Sequence, residues 1–172
     1  MPQTSRSRRA RCLLAVLAVG ALCGPTRARA DDTPARRPAA VVIPLPPQTI
    51  APGRSTLALT VTVPPGHTLT DGAPLSYAIE TTSSTLQVSP AHGQLNDPPQ
   101  QLPLRLAVQA DAFGKAAIDI HATVAYCTTS GTRLCKQQRL VAHQPLVVAE
   151  GGLVDWRVPL AVQPTTAHER AR

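Results

Sequence analysis

The chain has 172 residues, and its 17 Lys+Arg against 10 Asp+Glu give a formal net charge of +7. That length fits one domain. Aromatic residues make up only 2% of the chain, so a core must be built mainly from Val, Leu, Ile and Ala.

The charge is concentrated at the start. Arg6, Arg8, Arg9 and Arg11 precede an apolar stretch from Leu13 to Cys23, and Ala28-Arg29-Ala30 stands before Asp31 and Asp32. This basic leader, short apolar region and small-x-small cleavage pattern read as a secretory signal peptide over residues 1–30. The apolar stretch is shorter than the ~20 residues that span a bilayer, so no integral membrane segment is expected after cleavage. Ser7-Arg8-Arg9 leaves export by the general or the twin-arginine route open. The expected location is periplasmic or secreted. Six of the 17 Lys+Arg leave with the leader, so 11 face 10 Asp+Glu in the remainder. That near-neutral balance, with no basic run, removes the support for a nucleic-acid partner.

Residues 31–40 read as a flexible linker, and a β-sandwich domain is expected over 41–162. Val41–Ile50 is interrupted by Pro44, Pro46 and Pro47 and fits an edge strand at most. Leu57, Leu59, Val61 and Val63 alternate with polar residues and predict a strand over 56–63. Pro64-Pro65-Gly66 ends it, and residues 67–74 read as loop. Leu75, Tyr77 and Ile79 predict a second strand, and Leu86 and Val88 a short third. Residues 90–101 carry turn residues and read as loop. Leu102, Leu104, Leu106 and Val108 form the next alternating run, and Phe113-Gly114 sits in the following turn.

Residues 116–126 give the clearest strand, with Ile118, Ile120, Ala122, Val124 and Tyr126 on one parity and Asp119, His121 and Thr123 on the other. After a polar loop, residues 139–149 read as extended, bent or bulged at Pro145. Glu150-Gly151-Gly152-Leu153 is a two-residue hairpin signal. The last strand is expected over 153–162, with Val154, Trp156 and Val158 inward, and 163–172 as a disordered tail. Seven to nine short strands separated by turns predict an immunoglobulin-like antiparallel β-sandwich, with a small barrel as the alternative.

Cys12 and Cys23 fall in the leader, which leaves Cys127 and Cys135 with one possible connectivity in an exported protein. A hairpin folded symmetrically about Gly131 sets the two opposite each other, within the span a disulfide accepts. The loop it closes is about nine residues, which limits an entropic staple to ~2.5 kcal/mol. The polar loop predicts an accessible sulfur, and Arg133 and Lys136 beside Cys135 would favour its thiolate. A structural staple and an exchange-active pair both remain open.

Other chemistry finds little footing. The same register sets His143 opposite Asp119 and diagonal to His121, a surface cross-strand cluster. His121 lies six strand residues, about 20 Å, from Cys127, far beyond a shared metal site. No metal and no cofactor is expected. No Gly-x-Ser-x-Gly and no phosphate-cradling glycine loop is present.

Two stretches together carry a family resemblance. Val63-Pro-Pro-Gly-His-Thr-Leu-Thr-Asp-Gly-Ala-Pro-Leu75, and Tyr126-Cys127 followed by Cys135-Lys136 and Pro145-Leu146, resemble the amino-terminal immunoglobulin-like domain of the thiol:disulfide interchange protein DsbD. They are also similar to the related sandwich domain of NHL-repeat and thioredoxin-like proteins. The resemblance spans roughly residues 55–162. It implies that Cys127 and Cys135 lie on neighbouring strands as an exchange-active pair. Electrons would then pass between a thioredoxin-like or DsbD-type partner and exported proteins. Seven residues separate the cysteines here, more than in the DsbD domain, and that domain's shielding residues have no match. The rival expectation is a non-enzymatic immunoglobulin-like accessory or adhesion module with a structural disulfide.

Overall fold

We describe residues 39–164 of a computed structural model. The signal peptide expected over 1–30, most of the linker and most of the tail lie outside these residues.

Eleven strands and one four-residue helix form an all-β sandwich of two sheets. The first sheet runs β1 (Val41–Pro44), β10 (Cys135–Val148), β9 (Gly114–Thr128), β5 (Leu75–Thr81), β7 (His92–Leu95). β2 (Gln48–Ile50) also pairs with β10, and β4 (His67–Leu69) with β9. The second sheet runs β11 (Asp155–Ala161), β3 (Gly53–Thr62), β8 (Leu104–Ala110), β6 (Leu86–Ser89). The helix, α1 (Pro98–Gln101), leads into β8. The pairings β3–β8, β6–β8, β5–β9 and β9–β10 match the B–E, D–E, C–F and F–G neighbours of the immunoglobulin arrangement. The core lies between the sheets, where alternate residues of each strand point inward; Leu57, Leu59, Ile118, Ile120, Leu146 and Leu160 are among its most buried members.

The strands exceed the expected seven to nine because two of them lie in segments read as loop and because the single edge strand expected over 41–50 is two, β1 and β2. β4 adds to the end of β9, and β7 adds to β5. Neither has an alternating apolar run; each forms because a neighbouring strand offers an unpaired edge.

Two further expectations are corrected. Pro145 does not bulge β10 against β9, since their register is unbroken from Cys135↔Cys127 to Val148↔Gly114. The Thr128 N–H donates to the Leu134 carbonyl, so the even-numbered residues of β10 are those that bond to β9. The nitrogen of Pro145 therefore faces the other side, toward β1 and β2, where Pro46 and Pro47 already interrupt the ladder. The buried Gln144 supplies the missing donor: its Nε2 donates to the Pro46 carbonyl at 2.7 Å and to the Pro145 carbonyl at 2.8 Å. The two parallel registers, Pro44↔His143 and Gln48↔Leu146, differ by one residue. The N-terminal strand carries that extra residue across its prolines.

The second correction concerns Gly151-Gly152. They do not close a hairpin between β10 and β11. The chain turns there, with φ 72° at Gly151, and crosses to the other sheet, where β11 pairs parallel with β3. A Cβ on Gly152 would run into the Ile50 carbonyl group and lie 2.7 Å from the Ala51 nitrogen. Close backbone approach is what requires glycine here. The last strand accordingly starts at Asp155; Val154 is exposed, while Trp156 and Val158 are buried as expected.

Candidate functional site

The β9–β10 hairpin is the longest pairing among the described residues, and it carries both described cysteines, Cys127 and Cys135. Gly131, at φ 70°, lies in the loop between them. Thr128 Oγ1 braces that loop, accepting from the Leu134 N–H and donating to the Thr132 carbonyl, both at 3.0 Å. Cys127 and Cys135 are directly opposed, with Cα atoms 4.0 Å apart, and are joined by a disulfide. The sequence-based register is correct to the residue.

The environment of the pair differs from the expected open loop. Cys135 is exposed, but Cys127 has no exposed surface at all. Alternation turns Cys127 away from the core, since Tyr126 points inward; it is buried because β4 lies alongside. Thr68 is the register partner of Cys127, and the Thr129 N–H donates to the Gly66 carbonyl at 2.9 Å. His67, one residue earlier in β4, packs edge-on against the Tyr126 ring with centroids 5.4 Å apart. Thr68 was not singled out from the sequence, because His67–Leu69 reads as a turn extension and not as a strand.

The expected cationic flank is also weaker than the sequence implies. Arg133 Nη2 lies 3.8 Å from Asp71 Oδ1, an exposed pair that offsets its charge. Lys136 is the register partner of Tyr126 and so stands on the opposite face of β10 from Cys135. Asp71 sits in the expected loop after β4, and no local signal tied it to Arg133.

On the outer face of the first sheet, His143 opposes Asp119, and their Nδ1 and Oδ1 atoms are 2.7 Å apart. Glu80 opposes Asp119 from β5, and His121 lies in the adjoining row between Ala78 and Val141. A shallow cavity of about 280 Å³ lies beside them, lined by Ser76, His121, Thr123, Arg139 and Val141 among others. Among the described residues, no group of three or more His, Cys, Asp or Glu is placed to hold a metal ion. No described helix is long and apolar enough to cross a membrane.

No family model matches the chain, and no curated protein matches it. Among solved structures, the chain is similar to WR4, a C. elegans MSP family member, at 14% identity and a TM-score of 0.32 over 59% of this chain and 92% of that one. It is also similar to SSP-19, an MSP-domain protein like family member in Caenorhabditis elegans, at 12% identity and a TM-score of 0.27 over 60% and 92%. The immunoglobulin-like sandwich rests on the strand pairing of this chain itself.

Proposed function

We propose that the domain is an exported, non-enzymatic immunoglobulin-like accessory module, periplasmic or secreted, whose Cys127–Cys135 disulfide is structural. The observation that carries this reading is the complete burial of Cys127, which lies between β10 and β4 in the sheet. Exchange at Cys135 expels the Cys127 thiolate, and a buried thiolate is a poor leaving group. The offset of Arg133 by Asp71 points the same way. The test is the equilibrium reduction potential of the pair. A value below about −300 mV marks an inert structural bond. A more oxidising value, with rapid exchange against a thioredoxin-like protein, overturns the reading.

One observation favours a second reading. Cys135 is exposed at the mouth of an exposed loop, where an incoming thiolate can reach its sulfur. On this reading Cys127 and Cys135 cycle between dithiol and disulfide with a thioredoxin-like or DsbD-type partner, as the resemblance implies. That partner supplies or accepts the two electrons.

A further inference from the structure

The outer face of the second sheet is chemically unlike the rest of the surface. Its outward positions on β11, β3, β8 and β6 carry three arginines, Arg54, Arg105 and Arg157, and one acid, Asp155. Two of the arginines share a row: Arg157 and Arg105 are the register partners of Ala58 on its two sides. Strands about 4.8 Å apart set their Cα atoms roughly 10 Å from each other, within mutual reach of two long side chains. Ala58 is only 7% exposed although it points outward between the two longer residues. A groove of about 260 Å³ lies along this row, lined by both arginines, Ala58, Thr56, Asp155 and Trp156. Among the described residues, neither arginine is in an ion pair.

From this row we infer that the Arg105–Ala58–Arg157 groove is a docking site for carboxylate side chains of an acidic segment on a partner protein. Two guanidinium forks facing one small residue can both donate to one carboxylate seated above it, and such bidentate pairs are the strong, geometry-selective ones. The face selects a carboxylate over a nucleic-acid strand for two reasons. Trp156 borders the groove, but its ring alternates into the core and the residue is 2% exposed, so it offers no open face on which bases stack. Asp155 borders the groove and repels a continuous polyphosphate more than a single carboxylate. The inference rests on reading the domain as a binding module and is independent of the disulfide. A failed titration sinks the arginine site, while only the reduction potential bears on Cys127 and Cys135.

The test is a fluorescence-anisotropy titration of the full chain with a labelled glutamate-rich peptide at low and physiological salt. Saturable binding that weakens with salt is expected. It is expected to fall at least tenfold in the Arg105→Ala, Arg157→Ala double variant and to remain weakened in the double lysine variant, which keeps the charge but loses the forks. Ala58→Glu, which places a carboxylate between the arginines, is expected to abolish binding, and Arg133→Ala, at the disulfide end, to leave it unchanged. Both arginines are exposed, so the variants are expected to melt as the parent does. Absence of saturable binding, or equal affinity in the double alanine variant, overturns the inference. So does a single-stranded oligonucleotide of equal charge that binds more tightly than the peptide.

Discussion

Tyr77 shows how much a single buried ring does in a core this poor in aromatics. It opposes Gly93 of β7, and a Cβ there would lie 2.7 Å from the Tyr77 hydroxyl. The phenol occupies the space that glycine leaves, covering a stretch of strand with no side chain of its own. Burial raises its pKa above the ordinary 10.0, because the charged phenolate is poorly solvated there. The folded state therefore favours the neutral phenol. This contribution is fully present below the ordinary tyrosine value and is lost as pH rises through the higher folded one. Urea denaturation between about pH 9 and 11 should show a fall in stability that Tyr77→Phe reduces. The inward direction of Tyr77 is legible from its alternation with Ser76 and Ala78. The burial of Cys127 is not, because one of the two strands that flank it is β4, which is distant in sequence and has no pattern of its own.

At the scale of elements, two local substitutions carry long-range consequences. Gln144 restores the contact between β10 and the N-terminal strand that Pro145 cannot make. Gln144→Leu keeps the bulk and removes the donor, leaving the Pro46 carbonyl without it. The variant also removes the buried Gln144 Oε1, which has no partner, so the two effects offset and a net change under about 1 kcal/mol is expected by chemical denaturation, with faster amide exchange along β1 and β2 than along β9. Gly152 admits no side chain at all, since its neighbours are backbone atoms of Ile50 and Ala51. Gly152→Ala should destabilise by about 3 kcal/mol or prevent folding. Gly151→Ala, with nothing near its Cβ, meets only the cost of positive φ, about 1 kcal/mol; comparing the two melting temperatures checks the assignment. Both glycines suit a hairpin in the sequence. What decides between hairpin and crossover is which sheet has room for β11, and local residues do not encode that.

For the whole molecule, the position of the disulfide matters more than its presence. The immunoglobulin disulfide joins the two sheets, whereas this one lies within one sheet, at one end of a hairpin. The described sheets are held together without a covalent link, by a mainly aliphatic core with three buried aromatic rings and a few hydrogen bonds such as those of Gln138 with Gln163. Replacing both cysteines by alanine is expected to cost about 2.5 kcal/mol, the entropy of so short a closure. It should leave the buried emission of Trp156, the only tryptophan, unchanged at room temperature. A red shift on substitution or reduction would show that the disulfide supports the packing of the second sheet. The two-sheet architecture was legible because inward residues repeat every second position from Leu57 to Val158. The pairing of β3 with β11, and of β10 with β1 and β2, was not, because periodicity assigns a face to each strand but not a neighbour. The Arg105–Arg157 row stayed hidden for the same reason: 52 positions apart, the two meet only through β3.

The parallel pairings at the two edges have a consequence for how the domain can be wired. β1 begins beside Leu140, and Gln163, just past the end of β11, exchanges two hydrogen bonds with Gln138. The chain thus enters and leaves the sandwich within two residues of β10, in the half of the molecule that carries the disulfide. Phe113 and Leu153, both exposed, occupy the turns at the far end. A domain with both ends on one side behaves as a plug-in unit. A copy inserted by residues 39 and 164 into a surface loop of a carrier protein is therefore expected to melt as the free domain does.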